Sequence, residues 1–130
     1  MQIKPMIRSN ICLNSHPIGC KKAVENQIEY TKKRRAERGT SSVSPKNVLV
    51  LGCSNGYGLA SRIVSTFGYD AKTIGVSFEK AGTETKCGTA GWYNNLAFDN
   101  CAKEAGIVSK TINGDAYSNE IKTEVKKKKK

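Results

Sequence analysis

Histidine and tryptophan occur once each in the 130 residues, and proline three times. A lone imidazole, His16, cannot build a multi-histidine metal site. The five cysteines, Cys12, Cys20, Cys53, Cys87 and Cys101, are odd in number and form no C-x-x-C pair. That argues against a closed disulfide framework and a thiolate zinc site, and fits reduced thiols in a cytoplasmic protein. No stretch approaches the ~20 consecutive apolar residues that span a bilayer, so no transmembrane segment is expected. The opening stretch Met1–Arg8 lacks the continuous apolar core of a secretory signal. Acidic residues are scarce, 11 against 22 Lys and Arg, for a formal net charge of +11. Five of those charges are the run Lys126–Lys130, and Lys32-Lys33-Arg34-Arg35 with Arg38 make a second cluster. Neither cluster interleaves aromatic residues as single-strand binders do. No specific nucleic-acid partner is therefore expected; both read as solvated charge with salt-sensitive adhesion to polyanions.

Glycine is plentiful, and its placement carries information. Val48–Leu51 is an apolar run that suits a strand covered on both faces. Gly52-Cys53-Ser54-Asn55-Gly56-Tyr57-Gly58 follows, with glycines spaced G-x-x-x-G-x-G. Such a turn lets backbone approach a pyrophosphate and aims a helix N-terminus at the negative charge. The spacing departs from G-x-G-x-x-G and is nearer the variant of short-chain dehydrogenases. Methyltransferases and plain βα turns give similar strings, so the context decides. That context is a second strand, Thr73–Phe78, rich in β-branched and aromatic residues. Glu79 closes it. An acid there accepts hydrogen bonds from adenosine ribose hydroxyls and repels a 2′-phosphate, which favours NADH over NADPH. The competing reading is an ordinary solvated acid at a strand end.

The rest of the chain frames this unit. A short strand-like piece is expected around Ile7–Leu13 and a helix from Pro17 to about Lys33, with Ala23, Val24, Gln27, Ile28 and Thr31 on one face. Residues 36–46 are polar and read as a loop. A helix from about Tyr57 to Phe67 is expected to end at Gly68 as a left-handed cap. Lys80–Gly91 is a long glycine-rich loop of the kind that carries function. Trp92–Ala105 reads as a helix closed by Gly106, and Ile107–Ile112 as a third strand with Asn113-Gly114-Asp115 at its carboxyl end. A last helix starts near Ser118 and is cut short by the lysines. The order β-α-β-α-β-α gives an α/β fold. It is the first βαβαβ half of a Rossmann-like, short-chain-dehydrogenase-like parallel sheet, with an N-terminal helical extension. The expected divisions are 1–46 (extension and linker), 47–125 (cofactor-binding half) and 126–130 (lysine tail).

Several strings match a known family in order and spacing: Ile3-Lys4-Pro5, Ser15-His16-Pro17-Ile18-Gly19-Cys20, Gln27-Ile28-Glu29-Tyr30, Gly56–Arg62, Gly88-Thr89-Ala90-Gly91-Trp92-Tyr93-Asn94 and Ile112–Ala116. On these the chain resembles the N-terminal part of the NADH-dependent trans-2-enoyl-CoA reductases, also described as long single-chain enoyl-acyl-carrier-protein reductases of bacteria. The resemblance implies an oxidoreductase of fatty acid synthesis that uses NADH and takes enoyl-CoA or enoyl-ACP. It implies that Gly52, Cys53, Ser54, Asn55, Gly56 and Tyr57 cradle the pyrophosphate. Phe78 and Glu79 then lie at the adenosine ribose, and Asp115 and Ala116 near the adenine. Family members usually carry a small residue at the position of Cys53 and Thr at that of Asn55. The family's catalytic tyrosine and lysine lie downstream of residue 130, so no catalytic residue is assigned. Tyr117 and Lys126 share that pair's spacing by accident. The lysine run, with its adenine-rich codons, is a place where a reading frame is lost, and a truncated product without reductase activity is the expectation.

Other residues carry plainer expectations. Tyr57 either lines the cofactor site or packs. Trp92 and Tyr93 read as helix-start core residues, His16 as a hydrogen-bonded structural histidine, Cys53 as packing, and Arg62 as the partner of a surface carboxylate. Two further functions stay open: an NADH-binding module without turnover, and a basic polyanion-binding α/β scaffold.

Overall fold

The computed structural model describes residues 4–39 and 41–129. Met1–Ile3, Thr40 and Lys130 lie outside the described residues, and with them Ile3 of the first family-like string and the end of the lysine run. The piece expected at Ile7–Leu13 is a hairpin, β1 (Ile7–Arg8) against antiparallel β2 (Ile11–Cys12), with Ser9 at φ 57° in its turn. Helix α1 (Pro17–Arg38) follows. Proline at its first position suits the fixed φ, and His16 caps it, Nδ1 accepting from the Gly19 N–H at 3.0 Å. The structural histidine is borne out.

Helix α1 runs five residues beyond its expected end at Lys33. The basic residues of its last turn sit well against the helix dipole. Arg35 donates from Nη1 and Nη2 to the Asp70 carboxylate at 2.8 and 2.5 Å, and Arg38 lies 4.3 Å over the Tyr69 ring. Part of the expected 36–46 loop is thus helix, because tertiary partners extend it.

The parallel sheet has the order β3 (Asn47–Leu51), β4 (Lys72–Ser77), β5 (Ser109–Asn113). Its register pairs Leu51 with Val76 and Ser77 with Asn113. Helices α2 (Gly56–Ile63) and α3 (Ala90–Glu104) are the crossovers. Leu59, Ile63 and Phe67 meet Ala97, Phe98 and Ala102 of α3 and Val24 and Ile28 of α1 in one core. Phe67 and Phe98 pack edge to face, ring centres 5.7 Å apart. The expectation that β3 is covered on both faces is corrected, since Leu49 and Leu51 are more than half exposed.

Gly68 does not cap α2 in the left-handed region. The helix continues as a wider π segment over Val64–Gly68, and the left-handed residue is Asp70, φ 55°. Gly68 is buried beside Thr31 and Val64, where a Cβ would still find ordinary contact distances, while Arg35 pins Asp70, a residue type that tolerates the conformation. Gly106, at φ 70°, does close α3 as expected. Helix α4 (Asn119–Lys128) is capped by Ser118 and is not cut short, because the lysines continue it to Lys128. No helix among the described residues is long and apolar enough to cross a membrane.

Arg62 is the largest departure from expectation. It is fully buried at 0% exposure, not on the surface. Its Nε donates to Thr73 Oγ1 at 3.3 Å, Nη1 to Thr111 Oγ1 at 2.9 Å, and Nη2 to Ser109 Oγ and the Lys110 carbonyl at 2.8 and 2.9 Å. The Asp99 carboxylate is 3.8 Å away and accepts from the Thr111 hydroxyl at 2.7 Å. Phe98 lies 4.2 Å from the guanidinium. Burial pulls the Arg62 pKa down, but an arginine keeps its charge in a protein. Substitution Arg62→Met leaves these hydroxyls and the carbonyl without their donor and Asp99 without its counter-charge. It is expected to cost about 2–4 kcal/mol, read as a lower urea midpoint at unchanged slope.

Candidate functional site

Three strand ends meet at the carboxyl edge of the sheet. After β3 the chain turns through Gly52, at φ 81°, into α2. The N–H groups of Gly52 and Cys53 both donate to the Val76 carbonyl, at 2.8 and 3.2 Å, and extend the ladder past the strand. The Cys53 side chain is fully buried and points inward; burial pushes its thiol pKa up, as an inert packing residue requires. Ser54 is buried too, and from Asn55 onward the turn faces outward. The first N–H groups of α2 have no carbonyl one turn back, and Asn55, at the cap position, makes no side-chain cap bond. Its amide oxygen accepts instead from Asn94 Nδ2 at 3.0 Å. The α2 N-terminus thus keeps its donors and its positive dipole end for a ligand.

Gly58 makes the turn possible. A Cβ there would lie 1.8 Å from the Gly52 carbonyl oxygen, so helix and strand approach closely only without a side chain.

Beside this turn, β4 ends in Phe78 and Glu79. Phe78 is 79% exposed and Tyr57 95% exposed, which excludes a packing role for either. Both Glu79 oxygens are engaged: Ser54 Oγ donates to Oε1 and Thr89 Oγ1 to Oε2, each at 2.5 Å. The Glu79 backbone is clamped by Asn113, whose Oδ1 accepts from the Glu79 N–H at 2.8 Å and whose Nδ2 donates to the Glu79 carbonyl at 2.9 Å. Glu79 is therefore not a free solvated acid. Past β5, Asp115 Oδ1 accepts from the Tyr117 N–H at 2.9 Å, which folds Asp115 and Ala116 into a turn beside Glu79's strand.

The sequence-derived site residues Gly52, Cys53, Ser54, Asn55, Gly56, Tyr57, Phe78, Glu79, Asp115 and Ala116 all fall on these three strand ends. Residues behind them were not singled out from the sequence. Asn94 Nδ2 also donates to the Ser54 carbonyl at 3.0 Å, and Asn95 Nδ2 donates to Ser77 Oγ at 2.8 Å. Polar asparagines inside a helix stripe were the available signal, since a buried amide needs partners. Tyr93 is half-buried and its hydroxyl accepts from the Gly88 N–H at 2.9 Å, so it pins the long loop in place of filling the core.

A parallel βαβαβ sheet whose first turn opens a helix N-terminus at the strands' carboxyl ends defines a Rossmann-like unit of the dinucleotide-binding class. Residues 2–84 match the family model for the NAD(P)H binding domain of trans-2-enoyl-CoA reductase, and residues 86–130 match that for the trans-2-enoyl-CoA reductase catalytic region. The chain belongs to the trans-2-enoyl-CoA reductase family. It is 71% identical over 126 residues to the trans-2-enoyl-CoA reductase (NADH) of Treponema denticola, covering 96% of this chain and 32% of that protein. It is 60% identical over 122 residues to the enoyl-[acyl-carrier-protein] reductase (NADH) of Pseudoalteromonas translucida, covering 94% and 30%. The crystal structure of the Treponema denticola enzyme in complex with NAD superposes with a TM-score of 0.93 at 69% identity, over 98% of this chain and 32% of that one. The chain thus spans about a third of the length of the relatives it matches.

The close approach at Gly58 is directly testable. Gly58→Ala is expected to cost about 2–4 kcal/mol and to shift amide resonances through residues 52–58. Gly106→Ala, at positive φ in open space, is expected to cost about 1 kcal/mol and to leave the turn's resonances in place.

Proposed function

We propose that this chain binds NADH at the three strand ends, as the cofactor-binding part of a reductase acting on trans-2-enoyl thioesters. The open N-terminus of α2 carries the reading: it is an anion site built where the fold class places a pyrophosphate. Ser54, Asn55, Gly56 and Tyr57 face the phosphates, while Gly52 and Cys53 shape the turn through their bonds to Val76. Phe78 and Glu79 take the adenosine ribose, and Asp115 with Ala116 borders the adenine. Residues 47–125 form this unit, α1 and the segment before β3 buttress it, and Lys126–Lys128 of the lysine run continue α4. The free thiols fit a cytoplasmic setting. When bound, NADH supplies the hydride that reduces the enoyl double bond, and relatives named for CoA and for acyl carrier protein support either thioester as substrate.

Two outcomes are expected from fluorescence titration of the 130-residue chain. NADH binds and NADPH binds less well; Glu79→Ala weakens NADH about tenfold, the value of a hydrogen bond to a charge, and improves NADPH. Binding that ignores Glu79 and weakens steeply with salt would instead mark a polyanion binder. Crotonyl-CoA added to the same chain is expected to cause no NADH oxidation. Tyr117 lies in the turn before α4 and Lys126 in its last turn, so they do not stand in for a proton-donating pair.

A further inference from the structure

We propose that Thr89, together with Ser54, is a positioning residue that sets dinucleotide specificity by locking the Glu79 carboxylate; the inference rests on the NADH reading above. Thr89 occupies the cap position of α3 with extended backbone, φ −72° and ψ 153°. A threonine there ordinarily turns its hydroxyl onto the N–H two or three residues on, yet Thr89 makes no side-chain cap bond. Its single hydroxyl proton goes to Glu79 Oε2, and its oxygen accepts from the Lys80 N–H at 3.2 Å. The backbone repeats the connection, the Thr89 N–H donating to the Lys80 carbonyl at 3.0 Å. Hydroxyl and loop are thus both committed to the residue that ends β4.

The helix in turn accommodates the carboxylate. A Cβ at Gly91 would lie 2.2 Å from Glu79 Oε1 and 2.8 Å from Asn55 Nδ2. The absent side chain lets Glu79 sit over the first turn of α3, where the helix dipole favours a negative charge. Ser54 holds the other oxygen from the glycine turn. The carboxylate is therefore held by one hydroxyl on each oxygen, and each oxygen keeps lone-pair capacity for a ribose hydroxyl. A charge held in one place discriminates against a 2′-phosphate better than one that swings away, since rejection of a like charge needs the repulsive group to stay put. The specificity residue is a unit of three side chains, two of which touch no ribose.

The test is the ratio of Kd values for NADPH and NADH in the whole chain, by fluorescence titration. In Thr89→Val, which keeps the β-branched shape, the ratio is expected to fall about tenfold, the worth of one hydrogen bond to a charged group. Ser54→Ala is expected to lower it similarly, and Thr89→Ser, which restores the hydroxyl, to return it to the wild-type value. Loss of helix packing alone weakens both dinucleotides together and leaves the ratio unchanged. An unchanged ratio in Thr89→Val and Ser54→Ala, beside a changed one in Glu79→Ala, overturns the inference alone. Wild type that binds neither dinucleotide, or a ratio indifferent to Glu79→Ala, overturns the NADH reading and this inference with it.

Discussion

A single buried cation ties the sheet to its crossover helices. Arg62 reaches from α2 across β4 to β5 and satisfies hydroxyls on both strands. An isolated charge in such a place would be prohibitively costly; here the guanidinium N–H groups find oxygen or sulfur, its plane meets the Phe98 ring, and Asp99 supplies the opposite charge nearby. Gly75 makes the room: a Cβ there would lie 2.4 Å from Arg62 Nη1 and 2.6 Å from Cys53 Sγ. Helix, strand and glycine turn are thus fixed by one shared point, because Cys53 sits in the turn and Arg62 Nη1 donates to its sulfur at 3.6 Å.

From that anchor the order of the site extends outward by polar contacts more than by apolar packing. Asn94 and Asn95 on α3 hold the turn and the end of β4, and Asn113 continues the β4–β5 ladder with a side-chain amide where the strands have ended. Among the described residues no buried side-chain nitrogen or oxygen lacks a partner. Such a shell is sensitive to disruption, since one deletion strands its neighbour. It also sets geometry more sharply than hydrophobic contact, which has no direction. The proposed role of the turn, meeting phosphate with backbone N–H groups, needs that sharpness, because a displaced donor loses most of its hydrogen bond.

What the sequence revealed and what it hid divide along the same line. Strand, turn, helix and acid were legible because they follow local rules: an apolar run, glycines at fixed offsets, a charged strand end. The parallel order followed from the alternation of elements. Arg62 was misread because an arginine on a helix is ordinarily solvated, and nothing local reveals that Thr73, Ser109, Thr111 and Gly75 have gathered around it. Gly68 was assigned a cap that belongs to Asp70, since a glycine near a helix end looks the same in sequence whether or not its φ is positive. The far end of α1 was missed because Asp70, far along the chain, holds it. In each case long-range partners overrode a sound local preference.

The same contrast bears on the positive charge. Basic residues crowd the ends of α1 and α4, whereas the strand ends carry Glu79 and Asp115. At physiological salt a surface charge is screened within about 8 Å, so the clusters raise the encounter rate of any anion without choosing among them. Choice among anions has to be made locally, and on the proposed NADH reading it falls to the backbone donors of the turn and to the fixed Glu79 carboxylate. A polyanion-binding surface needs the reverse arrangement, with its cations at the site and no acid held in place there. Glu79, gripped by two hydroxyls beside a helix N-terminus, is the feature that such a surface would have no reason to build.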